Sequence, residues 1–405
     1  MDKYIDFLIK IKTPTFIKKQ RYIGNIHGTL RYITGFVIFG AIGNYLLRNY
    51  CDKFKNNNFK SIYYSCTKCS KKCEFFKLIL STEKIICNDA IFMEKNTNHF
   101  KDDEIIRNLK SLIVCRKSKD HIFDNLIYYL ENHDHALPTC KICNSSVKRT
   151  EKSVYLYQHN TPQLRLKSFE PDVLIIKKTG IDGTLGSAKE NILYQLECIE
   201  PNQTFKSRIL YNETLTDIVK ESLNGIQEYG IGGNRNRGFG KIQINILKEY
   251  SCDDYIESRL KSIEDNSEIL SNRLNWIDDD HEAIIITLKS DLNLMPFSFI
   301  PDGNDFVDLI NSRFSLNLPK EKIKLIKFIG KKNTRTQYLI QNQADLMIIN
   351  QIEAGSILIY TYPKSIKTDL LNALTKSELY HLGWYPERGL GHIICNSKIH
   401  FIGDN

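Results

Sequence analysis

The sequence predicts an α+β protein built from two related units, and three observations carry that prediction. First, residues 204–246 read as strand, helix, glycine loop, strand, and residues 356–395 read in the same order. Second, the spacing nearly repeats: 40 residues separate Glu200 from Gly240 and 38 separate Glu353 from Gly391. Third, apolar residues alternate with period two in some runs and fall at helical spacing in others, so strands and helices are mixed along the chain. A near-equal spacing of like elements is the mark of a duplicated unit.

Ile5, Phe7, Ile9 and Ile11 alternate with Asp6, Leu8, Lys10 and Lys12, the pattern of a half-buried first strand. Gly35 to Arg48 reads as a helix with Phe36, Phe39, Ile42 and Leu46 on one face. From Cys51 to about Thr150 the chain is rich in Lys, Asn and Cys and lacks long periodic runs, which marks an insertion or small subdomain. Asp172 to Lys177, Ile192 to Ile199 and Thr204 to Leu210 read as strands. Leu215, Ile218, Val219, Leu223 and Ile226 make Thr214 to Tyr229 an amphipathic helix that Gly230 is placed to end. Ile242, Ile244 and Ile246 alternate in the strand after it. In the second half the sequence predicts a strand at Ser356 to Tyr362, a helix from about Asp369 to Leu382, and a strand at His392 to Cys395.

At 405 residues the chain is long enough for two or three domains. Its division is expected at about residue 250: a first domain 1–250 carrying the insertion 51–150, and a second domain 251–405. A net charge of +9 suits an anionic partner without proving one. Charges at Asp2, Lys3, Asp6, Lys10 and Lys12 break any signal-peptide core, and the most apolar run, Phe36 to Leu47, is interrupted by Gly40, Gly43 and Asn44. A cytoplasmic, non-membrane protein is expected, with its eleven cysteines reduced.

The segment Gly230 to Lys241, GIGGNRNRGFGK, carries the most chemistry. Gly232, Gly233, Gly238 and Gly240 allow positive φ and close backbone approach, and consecutive N–H groups in such a loop can form an anion-binding concavity. Arg235, Arg237 and Lys241 add charge, and arginine grips phosphate with paired hydrogen bonds. Asn234 and Asn236 tolerate left-handed turns and can donate to phosphate or a base. Phosphate loops of dinucleotide and triphosphate sites run strand, glycines, helix, whereas this one follows a helix and precedes a strand. No nucleotide cofactor is expected. The plainer alternative is a glycine-rich turn with solvated arginines.

These residues resemble the RAMP superfamily, the repeat-associated RNA-binding subunits of CRISPR effector complexes. Gly233 to Gly240 is similar to that family's G-x-x-x-x-R-G-x-G loop with one fewer spacer residue, and Glu387-Arg388-Gly389-Leu390-Gly391 is similar to a weaker second copy. Thr34 to Ile42, with Gly35 and Gly40, resembles the family's P-G-S-x-L-K/R-G-A-L element, Thr34 standing for the proline and Phe39 for the basic residue. Gly180 to Ala188, followed by Leu193, Tyr194 and Glu197, resembles a hairpin of type III subunits, with Gly183 in place of the usual arginine. The resemblance implies two ferredoxin-like (RRM-like, βαββαβ) domains and is strongest for the two-domain type III-D subunit. It implies RNA contacts at Gly232 to Lys241, Arg388, Gly389, Gly391, Gly35 and Gly40, and bases stacked on Phe239, Trp384 or Tyr385. The implied partners are the 5′ repeat-derived handle of the guide RNA, the large polymerase-cyclase subunit and backbone RAMP subunits.

Eight of the eleven cysteines lie between residues 51 and 150. Cys66 with Cys69 and Cys140 with Cys143 form two C-x-x-C pairs, and two such knuckles can close a tetrahedral structural zinc site. Cys73 or Cys115 can replace a ligand, and reduced packing cysteines are the alternative. His133 and His135, flanking Asp134, are further candidate ligands.

No catalytic residue is assigned. Some RAMP proteins cut RNA with an aspartate before the first helix, but Lys19 to Ile33 contains no acid. Its one histidine, His27, is the candidate base if the protein is instead a metal-independent guide-RNA processing endoribonuclease. Asp182 reads as a turn residue. The expected function is a non-catalytic RNA-binding subunit of a type III CRISPR ribonucleoprotein in antiviral defence. The alternatives are that nuclease, a repeated backbone subunit that cleaves target RNA, and a zinc-stabilised protein adaptor.

Overall fold

The structure is a computed structural model, and it describes residues 2–23, 25–56, 66, 73–81, 84–94, 105–131, 137–158, 164–181, 188–293, 302–338 and 346–402. It is a mixed α+β protein with several small sheets. The candidates Cys69, His133, Asp134, His135 and Asp182, with Gly183 to Ser187, lie outside the described residues.

The first unit contains β1 (Asp2–Ile11), α1 (Gly35–Tyr50), β2 (Ile86–Cys87), β3 (Thr204–Asn212), α2 (Thr216–Tyr229) and β4 (Ile242–Ser251). Its sheet has the main path β4-β1-β3-β2, antiparallel at every pair, and a fifth short strand, Ile91–Met93, also pairs with β3. The alternation read from β1 has its cause here: Ile5, Phe7, Ile9 and Ile11 are all fully buried. They share one cluster with Ile38, Ile42 and Leu46 of α1 and Val219, Leu223 and Ile226 of α2. Burying each such side chain is worth roughly 1.5–3 kcal/mol. The two helices cross closely because residue 225 is glycine; a Cβ there would lie 2.0 Å from the Tyr45 ring. Phe36 departs from expectation. It is 46% exposed, because the buried stripe of α1 runs through Ile38, Phe39, Ile42, Tyr45 and Leu46.

A 22-residue helix, α3 (Cys252–Arg273), leads to the second unit. That unit contains β5 (His281–Leu288), α4 (Gly303–Phe314), β6 (Lys324–Ile329), β7 (Ile357–Pro363), α5 (Lys367–Tyr380) and β8 (Ile393–Cys395). Its sheet runs β6-β7-β5-β8, again antiparallel throughout. Counted along the chain over the four strands of its main path, each sheet follows the order fourth, first, third, second. One face packs under α4 and α5 through Phe306, Val307, Ile310, Leu370, Leu371 and Leu374.

The other face of the second sheet is covered by the insertion of the first unit, which continues past its expected end at residue 150 to Ser168, because Lys152–Gln158 pairs with both Ile105–Leu109 and Leu164–Ser168. Ile106, Leu109, Leu112, Val114, Leu126 and Leu156 join Ala283, Ile285, Ile357, Ile359 and Ile394 in one buried cluster, with Leu270 and Leu274 from the end of α3. A sheet buried on both faces is apolar on both. That is why β5 (HEAIIITL) and β7 (ILIYTYP) read as continuous apolar runs while β1 alternates. The insertion supplies the strand triple Ile105–Leu109, Lys152–Gln158 and Leu164–Ser168, and a second triple of Leu112–Cys115, Ile122–Asp124 and Val147–Arg149.

Candidate nucleic-acid interface

Helix α2 ends at Gly230, whose φ of 68° and N–H bond to the Ile226 carbonyl turn the chain out of the helix. Three further glycines hold positive φ: Gly232 (77°), Gly238 (84°) and Gly240 (73°). Asn234 is left-handed at 58°, and Arg235–Arg237 forms one 3-10 turn. The glycine at 240 is compulsory, since a Cβ would lie 2.0 Å from the Ile231 carbonyl oxygen. The neck closes when the Ile231 N–H donates to the Gly240 carbonyl at 2.9 Å. The loop is then fastened to residues 13–16: Gly233 donates to Phe16, Gly240 to Pro14, and the Lys241 N–H to the Thr13 hydroxyl.

These bonds change how the loop can meet an anion. The N–H groups of Ile231, Gly233, Arg237, Gly238, Gly240 and Lys241 all donate within the protein, so they do not form the continuous anion cradle expected from the glycines. The outward chemistry lies on side chains. Arg235, Asn236, Arg237 and Lys241 are exposed, and Lys12 stands beside them through the bond of its N–H to the Lys241 carbonyl. Among the described residues no carboxylate pairs with Arg235, Arg237 or Lys241. Arg235 also reaches the Gly230 carbonyl at 3.4 Å. Phe239 is 8% exposed and packs with Phe16, Leu196 and Cys198. It is a core residue of the loop's base, not the stacking platform expected; Lys178 lies over its ring at 5.1 Å.

The second loop repeats this backbone residue for residue. His381 (φ 58°), Gly383 (76°), Tyr385 (62°), Gly389 (82°) and Gly391 (73°) stand where Gly230, Gly232, Asn234, Gly238 and Gly240 stand in the first. Pro386–Arg388 is the matching 3-10 turn, and the Leu382 N–H closes the neck on the Gly391 carbonyl. Its surroundings are opposite. Gly389 packs on Gly35 at the start of α1: a Cβ at Gly35 would lie 2.1 Å from the Cys87 carbonyl oxygen and 2.8 Å from Gly389 Cα. The Arg388 side chain is 10% exposed and lies over Phe36 and Tyr385. Arg388, Gly389 and Gly35, expected at an RNA surface, thus form the seam between the two units, and Gly391, expected there too, is buried inside the second unit with its N–H donating to the Asp291 carbonyl. Gly40 is exposed on the outer side of α1 with nothing within 4 Å of its Cβ position. Trp384 remains 47% exposed.

Behind the second loop, His381 is fully buried and stacks on His392 with ring centroids 4.8 Å apart. Burial, then the charge of Arg313, pulls its imidazole down to about 3. His27, the candidate base, meets Tyr194 edge-to-face at 5.4 Å.

The cysteines sort differently from their spacing. Cys140 and Cys143 lie together as expected, but their neighbours are Cys115 and His121, and one ligand atom from each of the four falls within 4.8 Å of the others. This group could hold a metal ion. Cys66 is not part of it; it is buried in the first unit's core with Phe75, Leu78 and Ile79. Sequence spacing offered Cys115 as a substitute ligand but missed His121, which a hairpin turn brings back beside Cys115. Hydrogen bonds from Ser145, then Cys115 and His121, draw the Cys143 thiol down to about 6. A separate cleft of about 600 Å³ opens between the insertion and β6, lined by Lys110, Tyr129, Arg149, Glu151, Lys327 and Lys331.

A family model described as the RAMP superfamily matches residues 8–243. No curated protein matches the chain. Among solved structures, the chain is similar to one in a type III-B Cmr-beta complex bound to cognate target RNA and AMPPnP, at 13% identity and a TM-score of 0.41, over 91% of this chain and 88% of that one. It is similar to another in a Cmr-beta complex bound to cognate target RNA, at 14% identity and a TM-score of 0.31, over 60% of this chain and 96% of that one. Likeness at this level assigns no function. Among the described residues, no helix is long and apolar enough to cross a membrane.

Proposed function

This chain belongs to the RAMP superfamily, and from that premise we propose that it is a non-catalytic RNA-binding subunit of a type III CRISPR ribonucleoprotein, most like the two-domain type III-D subunit, that holds the 5′ handle of the guide RNA. The observation that carries the proposal is the exposed cationic tip Arg235–Arg237, with Lys241 and Lys12 beside it, on a loop whose backbone is pinned from inside. A hydrogen-bonded loop with exposed charged side chains suits an RNA backbone, where phosphates are gripped without regard to sequence. The fourth-first-third-second strand order of both sheets supports reading the units as two ferredoxin-like domains. Trp384 offers an exposed ring for a splayed base. Large-subunit and backbone-subunit partners in the cytoplasm belong to the same reading.

The test is RNA recovery and titration. The protein purified from its host should carry RNA whose 5′ ends derive from the repeat. In a filter-binding titration with that single-stranded handle, Arg235→Glu with Arg237→Glu should weaken binding at least about tenfold, or ~1.4 kcal/mol. If two phosphate contacts are lost, the salt slope should fall by roughly 1.4. Unchanged affinity in that variant, or no recovered RNA, would sink the proposal. Metal-independent cutting of repeat RNA that His27→Ala abolishes would replace it with the processing nuclease.

A further inference from the structure

We propose that Cys115, His121, Cys140 and Cys143 bind one zinc ion in a closed, structural site, independently of whether the chain binds RNA. The four residues come from two places that the fold brings together. Cys115 ends the strand Leu112–Cys115, and His121 directly precedes the strand Ile122–Asp124 that pairs back on it. Cys140 and Cys143 lie on a tight turn closed by the Asn144 N–H donating to the Cys140 carbonyl and the Cys140 N–H donating to the Ser145 carbonyl. Asn144 takes a φ of 53° to complete that turn. The next strand, Val147–Arg149, pairs with Leu112–Cys115, so both halves of the site hang on one strand triple.

The distances suit zinc. Cys115 Sγ lies 3.5 Å from Cys143 Sγ, and Cys140 Sγ lies 3.5 Å from His121 Nδ1. Sulfur at about 2.3 Å and nitrogen at about 2.0 Å from a tetrahedral zinc place neighbouring ligand atoms about 3.5–3.8 Å apart. The cysteine sulfurs are too far apart for a disulfide, which needs about 2.05 Å. The Lys117 N–H also points at Cys115 Sγ at 3.3 Å, the kind of donor that supports a thiolate. On binding, each thiol gives up its proton to solvent. Four protein ligands leave no open position, so the ion would fasten the 140–143 turn to the strand triple and do no chemistry of its own.

The experiment is metal analysis of the full chain purified without chelator. One zinc per chain is expected. Cobalt put in its place should give the thiolate-to-metal absorption of a tetrahedral three-sulfur site. Cys115→Ser with Cys143→Ser should lose the zinc, as should His121→Ala, while His121→Cys, which keeps a ligand, should retain it. Cys69→Ser should retain it too. A wild-type chain without zinc would overturn the proposal, and so would a cobalt form lacking tetrahedral thiolate bands. Zinc retained in the Cys115/Cys143 variant, or lost in Cys69→Ser, would overturn this ligand set even where a variant folds poorly, because the wild-type cobalt spectrum counts sulfurs without any mutation.

Discussion

His381 occupies a backbone conformation that glycine holds in the first loop, φ 58° with ψ 158°, a region that residues with a Cβ seldom enter. It does so fully buried, flat against His392, with Nε2 lacking a hydrogen-bond partner. Its imidazole is held neutral because burial and Arg313 lower it from 6.5 to about 3. A base depressed in the folded state stabilises the fold fully above its unfolded value and loses that contribution as pH falls toward the folded one. Between pH 6.5 and about pH 4.5 the loss should be on the order of 2–3 kcal/mol. Urea midpoints at several pH values would read it, and His381→Gly, the residue that holds the same conformation at position 230, should flatten the slope over that window. An identical slope in the variant would assign the pH dependence to other groups. The sequence marked the glycines of this loop but not the histidine, because no local pattern distinguishes a strained, buried histidine from an exposed one.

At the scale of elements, α3 is bound to the second unit through a buried ion pair. Arg259 Nε meets Glu378 Oε2 of α5 at 2.8 Å with the two side chains 5% and 1% exposed. Glu378 also accepts from the Tyr255 hydroxyl and from the Cys395 N–H at the end of β8. One carboxylate thus ties α3, α5 and β8 together. Glu378→Ala leaves a buried guanidinium uncompensated and should destabilise the protein by about 3–5 kcal/mol. In a double-mutant cycle, adding Arg259→Leu should recover part of that loss, and a purely additive result would show that the pair is uncoupled. Helix α3 itself was not legible: only Cys252, Arg259, Ile263, Ser267 and Leu270 are buried along its 22 residues. Two of those five are serine and arginine, so its inner stripe does not look apolar. The helices that were legible, α1, α2 and α5, bury aliphatic residues at regular spacing.

At the scale of the molecule, the cores do not follow the chain. The expected boundary near residue 250 falls where β4 meets α3, but the insertion of the first unit forms half of the core beneath the second unit's sheet. The second glycine loop in turn seals the seam over Gly35 and Cys87 of the first unit. A fragment of residues 1–250 would expose Ile106, Leu109, Leu112, Val114 and Leu156, and burial of each is worth roughly 1.5–3 kcal/mol. That fragment alone should be insoluble or should melt without a cooperative transition, and co-expression with residues 251–405 should rescue a soluble pair. A cooperatively folded 1–250 fragment would show that the shared core is dispensable.

The sequence by itself determined the α+β mixture, the helix-loop-strand order of both glycine loops and the cationic character of the first, because each rests on local periodicity or on residue types within a dozen positions. The tertiary structure decided which loop faces outward. The two loops share one backbone path, yet Arg235 and Arg237 stand in solvent while Arg388 is closed over by Phe36 and Tyr385. It also decided which cysteines meet, replacing Cys66 with Cys115 and adding His121. Exposure and ligand grouping depend on contacts between residues far apart in the chain, and no short stretch of sequence carries them.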